Sequence, residues 1–180
     1  TAINIDINNN LFLAGSFNDT TDFNPDTTQV FNLIPIGSGD LHITKFDTDA
    51  NFISVTNMGG TGYVSPSAIH TDAAGNIILT GTFTGTADFN PGSGTANLTA
   101  TGSGTYISDM FFLKLDALAN FEWVNKIGGN SIDYPSDIGT DNAGNVYFTG
   151  QFKSATIDFN PDTAVTFNLS GTFNSYDAFV

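Results

Sequence analysis

Asp22-Phe23-Asn24-Pro25, Asp88-Phe89-Asn90-Pro91 and Asp158-Phe159-Asn160-Pro161 are one tetrapeptide written three times, spaced by 66 and 70 residues. A glycine stands upstream of each copy (Gly15, Gly81, Gly150), closing an apolar run, and a phenylalanine follows two residues later (Phe17, Phe83, Phe152). A second block repeats between the tetrapeptides: Asp40 to Asp47 aligns with Asp109 to Asp116, and both run through Asn-Phe (Asn51, Asn120) to Gly-Gly (Gly59, Gly128). The chain is therefore an array of about 2.6 units of 66–70 residues. A unit of this kind buries its faces against its neighbours rather than alone. The phasing places unit 1 at 1–66, unit 2 at 67–135 and an incomplete unit 3 at 136–180.

Inside a unit, apolar and β-branched runs alternate with Asp/Asn/Gly turns, and helical periodicity is absent. Asp6 to Asn10, Asp72 to Asn76 and Asp141 to Asn145 each separate two short runs, as do Asp47 to Asn51 and Asp116 to Asn120. In such turns the Asp side chain bonds back to the backbone and Gly or Asn supplies the positive φ. The second run of each unit (Leu11-Phe-Leu13, Ile77-Ile-Leu79, Val146-Tyr-Phe148) is apolar at successive positions, which predicts a strand buried on both faces. Third strands are expected at 41–46 and 110–115 and fourth strands at 52–57 and 121–126. Four antiparallel strands per unit make an all-β array of propeller-type blades; a parallel β-helix is the alternative fold. The surplus over an ordinary blade lies between the second and third strands and contains the tetrapeptide, predicting an added strand or packed loop on one rim.

The composition narrows function. Eighteen acidic residues, of which only Glu122 is a glutamate, face four lysines and no arginine, for a net charge of −14. Such a surface repels phosphate backbones and anionic lipid, so neither nucleic acid nor membrane insertion is expected. No run approaches the roughly 18 apolar residues of a membrane span. Cysteine is absent, which removes disulfides and thiolate metal sites.

The spaced set Gly-Asn, an apolar run with Thr-Gly, Phe, Asp-Phe-Asn-Pro, Asp109-x-Phe111-x-x-Lys114-x-Asp116, Asn120-Phe121-x-Trp123 and Gly128-Gly129 resembles the bacterial beta-propeller repeat called SBBP. The likeness covers nearly the whole chain; the first unit departs from it at Asn9, where the turn glycine is expected, and at Ser54, opposite Trp123. It implies a propeller fold displayed in long secreted and cell-surface proteins, often exported by type IX secretion. No catalytic residues come with it.

Several residues are candidates for chemistry. Asp22, Asn24 and Asp26, and likewise Asp158, Asn160 and Asp162, offer oxygens at alternating positions, as calcium loops do. Calcium is the one cofactor this suggests. The competing reading is a structural turn in which Phe23, Phe89 and Phe159 plug the blade interface, because Phe and Pro interrupt the ligand pattern and Gly92 takes the third place in unit 2. Thr27 and Thr163 follow an Asp just past the tetrapeptide and resemble acceptors of O-linked glycans in bacteria with type IX secretion. His42 aligns with Phe111 and is expected at a blade interface, His70 near a strand rim; neither stands beside a nucleophile. Lys45 and Lys114 are expected to pair with aspartates.

These readings converge on a non-catalytic extracellular structural or adhesive repeat at the bacterial cell surface, part of a larger protein or filament. Neighbouring repeats or identical subunits would join it by strand pairing, since the last unit lacks its outer strand, and surface glycans are a further expected partner. The alternative is a carbohydrate-binding propeller module or a glycan-acting enzyme.

Overall fold

The computed structural model describes residues 1–101, 107–161, 165–172 and 175–180. Among them there are strands and turns and no helix. Blade 1 pairs β1 (Ala2–Ile5), β2 (Leu11–Phe17), β5 (Asp40–Phe46) and β6 (Phe52–Gly60) in that order. Blade 2 pairs β7 (Val64–Thr71), β8 (Ile77–Phe83), β11 (Asp109–Leu115) and β12 (Phe121–Ile127), and blade 3 holds β13 (Asp133–Thr140), β14 (Val146–Phe152) and β17 (Asp177–Phe179). Neighbouring strands within each blade are antiparallel. These are tandem propeller-type blades of antiparallel strands, four in each of the first two and three in the last among the described residues, which sets aside the parallel β-helix. The first strands of the three blades lie against one another, as inner strands of a propeller do.

The surplus of each unit is a β-hairpin: β3 (Thr21–Asp22) with β4 (Asn32–Leu33), β9 (Thr86–Asp88) with β10 (Asn97–Thr99), and β15 (Thr156–Asp158) with β16 (Asn168–Ser170). An added strand was expected there; two form in each unit.

Five blade turns share one design. The aspartates at 6, 47, 72, 116 and 141 each accept N–H bonds from residues two and four positions on, and the second carboxylate oxygen accepts from the Asn side chain at the fourth. The third position has positive φ: Asn9 (61°), Ala50 (63°), Gly75 (84°), Ala119 (63°) and Gly144 (82°). Side-chain hydrogen bonds from Asn51, Asn120 and Asn145 lead the effects that hold Asp47, Asp116 and Asp141 below the usual carboxylate range.

Burial differs among the three second strands. In β8 both faces are buried, as expected, because blade 1 covers one side and blade 3 the other. In β2, Phe12 and Ala14 are buried against blade 2 while Leu11 and Leu13 are only partly covered. In β14, Tyr147 and Gln151 are exposed. Within residues 1–180 only blade 2 is packed on both sides, and β2 and β14 are each covered by one neighbouring blade. Val64 and Asp133 open the first strands of blades 2 and 3, three residues before the boundaries drawn from sequence at 67 and 136. Pro66 and Pro135 sit at register shifts inside these strands, where proline is tolerated.

Candidate functional site

The recurring residues converge on the rim built by the hairpins. Each tetrapeptide aspartate closes its own loop through Oδ1. Asp22 accepts from Asn24 N (3.1 Å) and Phe31 N (2.8 Å), Asp88 from Asn90 N (3.0 Å) and Ala96 N (2.8 Å), Asp158 from Asn160 N (3.0 Å) and Phe167 N (2.7 Å). Asn24 continues the pattern by accepting Asp26 N (3.0 Å) through its side-chain oxygen. Asp26 in turn accepts both the N–H and the hydroxyl of Thr28, and the backbone bond heads the causes that lower its pKa. One oxygen each of Asp22, Asn24 and Asp26 thus accepts backbone donors within the hairpin. Among the described residues no group of three or more His, Asp or Glu side chains is placed to hold a metal. Thr27 is exposed in the turn closed by the bond from Gln29 N to Asp26 O. Asp162 and Thr163 lie outside the described residues.

The tetrapeptide phenylalanine completes a three-ring cluster. Phe89 lies 5.5 Å from Phe83 and 4.7 Å from Phe111; Phe159 lies 5.8 Å from Phe152 and 4.8 Å from Phe179; Phe23 lies 5.2 Å from Phe17 and 4.4 Å from His42. The upstream glycine makes this possible, because it pairs across the sheet with the third-strand ring. A Cβ on Gly15, Gly81 or Gly150 would stand 2.5 Å from His42, 2.8 Å from Phe111 or 2.7 Å from Phe179. His42 is an aromatic filler in blade 1: burial, followed by the nearby N-terminal charge, pushes its pKa down to about 4. Its ring lies on the face of blade 1 that has no neighbour. His70 bonds Thr140 across the junction of blades 2 and 3 (3.1 Å).

The Gly-Gly pair has its own reason. Asp40 and Asp109 are fully buried at the start of their third strands, and a Cβ on Gly59 or Gly128 would fall 2.0 or 2.2 Å from their carboxyl groups. Lys126 pairs with Asp109 at 3.0 Å, whereas Asn57 takes the corresponding place beside Asp40 at 3.3 Å. Lys114 bonds Glu122 at 3.0 Å and Lys45 lies over the Phe12 ring at 5.0 Å, while the charges of Lys114 and Lys45 also favour the ionised forms of Asp72 and Asp6.

Gly59 and Gly60 also serve the neighbouring unit. They pair with Asp88 and Ala87 of β9, so the hairpin of unit 2 is strapped to the outer edge of blade 1. Thr61 N donates to Thr86 O (2.8 Å) and Thr86 N to Thr61 Oγ1 (3.1 Å), continuing the seam. A Cβ on Gly60 would meet Thr86 O at 2.2 Å, so this close approach requires glycine. An exposed strand edge invites pairing, and here the next repeat supplies it.

Residues 122–151 match the family described as a beta-propeller repeat. The matched stretch runs from the outer strand of blade 2 through the Gly-Gly pair into the second strand of blade 3. The chain is also similar to an uncharacterized WD repeat-containing protein of Acanthamoeba polyphaga mimivirus, 27% identical over 99% of this chain and 13% of that protein. That relative is a viral repeat protein far longer than the propeller repeats described here.

Missing from the sequence reading was the reach of the hairpin to the preceding blade. Its signal was present as the joint recurrence of Gly-Gly and Asp-Phe-Asn-Pro, but nothing in one unit says which blade the hairpin joins. A cleft of about 510 Å³ between the first hairpin and the start of β6, lined by Asn24, Asp26, Gln29, Phe31, Asn51 and Phe52 among others, was likewise not foreseen.

Proposed function

We propose that this chain is a non-catalytic structural and adhesive segment of a larger extracellular surface protein or filament of bacterial type. Its repeats would join neighbouring repeats, or those of identical subunits, by strapping a hairpin to the preceding blade's outer edge. The observation that carries this reading is the pairing of Gly59 and Gly60 with Asp88 and Ala87. It turns a local insert into a connector between units. The first hairpin presents the same kind of edge at Thr21 and Asp22, and the face of blade 1 beyond blade 2 exposes Ile3 (64%) and Ile5 (63%) where blade 2 buries Ile69. A repeat ending in Gly-Gly fits both. Glycosylation at Thr27 belongs to the same reading, since that threonine stands outward in a rim turn.

The test is the polypeptide in its natural source. A denatured mass well above 19.0 kDa, with antibodies to the chain labelling the cell exterior, is the expected result. A 19.0 kDa species confined to the soluble interior of the cell would overturn the proposal.

A further inference from the structure

We infer that the cleft between the first hairpin and β6 is a binding site for a neutral saccharide. This names a ligand class for the adhesive role and rests on that reading only for its setting. One wall is the hairpin from Asn24 to Phe31, the other the turn and strand start from Ala50 to Ile53. Both walls are fixed before any ligand arrives. The Asp22 carboxylate ties Phe31 N and Asn24 N on one side, and the Asp47 carboxylate ties Asn51 N and the Asn51 side chain on the other. Prior fixing of this kind lowers the ordering cost of binding.

The lining chemistry selects the ligand. Phe31 packs on Phe52 with ring centroids 4.8 Å apart, yet Phe31 remains 48% exposed. An aromatic ring held half in water at a cleft wall offers an apolar surface to the C–H face of a pyranose. Around it stand planar amides and a carboxylate, from Asn24, Gln29, Asn51 and Asp26, groups suited to paired hydroxyls. No lysine, arginine or histidine lines the cleft, and the chain carries −14, so sulfated, phosphorylated or uronic ligands are disfavoured. The volume of about 510 Å³ lies in the range typical of small-molecule sites, ample for one or two sugar rings.

Comparison with unit 2 separates this site from the needs of the fold. There Gly92 replaces Asp26 and Ala96 replaces Phe31, removing the carboxylate and the ring wall, while the Asp88 loop closure persists. The strap edge of unit 2, Ala87 and Asp88, corresponds to Thr21 and Asp22, neither of which lines the cleft. A connected array would therefore leave the cleft residues outside its strap contacts.

The experiment is saturation-transfer NMR on the whole chain with cellobiose, maltose and lactose, and with sialyllactose as the anionic comparison. At least one neutral sugar should show transfer, with its affinity cut at least about tenfold, about 1.4 kcal/mol, by Phe31→Ala. Gln29→Ala, at an exposed turn position, should weaken the same sugar and guards against a folding defect in the first variant. Circular dichroism should be unchanged in both. The inference fails if all three neutral sugars are silent, if sialyllactose binds as well as lactose, or if neither variant weakens binding. None of these failures would alter the mass or surface labelling that tests the repeat's structural role.

Discussion

The two junctions that flank the middle blade are built from different chemistry. Both have an apolar core, and they part at the rim: between blades 1 and 2, where Ala2, Phe12, Ala14, Leu41 and Ile43 meet Val64, Ile69, Leu79 and Phe111, the rim is closed by backbone pairing of β6 with β9. Between blades 2 and 3, Asp133 stands where blade 2 has Val64, and Ser154 where unit 2 has Gly85. Asp133 is fully buried and accepts from Gly129 N (3.1 Å), Lys153 N (3.0 Å), Ser154 N (3.2 Å) and Ser154 Oγ (2.9 Å). The Gly129 N–H is thereby directed to a side chain, whereas its counterpart Gly60 lies in the seam with Ala87. The third hairpin stands beside β12 across a cavity of about 300 Å³ lined by Asn125, Lys126, Gly128, Asp158 and Pro161 among others. The same repeat thus makes a strapped junction at one place and one pinned by a buried carboxylate at the other.

Asp133→Ala breaks the pinned junction and should have the largest effect. It strands four donors, at a cost of about 3 kcal/mol, and should lower amide protection in β13 and β14 while blades 1 and 2 keep theirs by hydrogen exchange. Gly60→Ala attacks the strapped junction instead, driving a methyl into Thr86 O. A loss of about 2 kcal/mol is expected, with protection falling first at 86–88 and 97–99. Equal loss of protection across all three blades in either variant would mean that the junctions are not separate units of stability.

The pH response sharpens the contrast. Burial, only partly offset by the hydrogen bonds from Ser154, Lys153 and Gly129, raises the Asp133 pKa above 3.8. The folded chain then holds that proton more tightly than the unfolded one, so this site gains stability as pH falls through its raised pKa toward 3.8. His42 acts in the opposite sense: with a folded pKa of about 4 against 6.5, its contribution is present above pH 6.5 and is lost as pH falls toward 4. His42→Phe, which copies Phe111, should remove that loss, seen as a flatter melting temperature between pH 6.5 and 4, without changing protection at either junction. The smallest effect is expected from Ala50→Gly or Ala119→Gly. Each relieves a left-handed alanine and should add about 0.5–1 kcal/mol in chemical denaturation.

Most of the blade was legible because its signals are local. The Asp-to-Asn turns, the strand order and the role of Phe23, Phe89 and Phe159 follow from motifs whose partners lie within one unit. The positive φ at Ala50 and Ala119 gave no sign, since alanine carries no turn preference and the conformation is imposed by the Asp47 and Asp116 bonds around it. The strap was hidden for another reason: Gly60 and Ala87 belong to different units, and only distance shows that a Cβ cannot fit between them. Thr27 and the Asp22, Asn24, Asp26 set lie in the hairpin formed by the expected insert. The cleft beside them depends on the packing of Phe31 on Phe52 and on the exposure of Phe31, which motif spacing alone does not give.

The five Asp–Asn turns bear on the order of events when the chain first folds. Each closes within five residues and bonds its own backbone twice through one carboxylate, so adjacent strands are brought together without help from distant sequence. Contacts this short close early and cost little chain entropy. A polypeptide emerging end-first from a ribosome or a pore can therefore assemble one pair of strands at a time, each waiting only for the next to arrive.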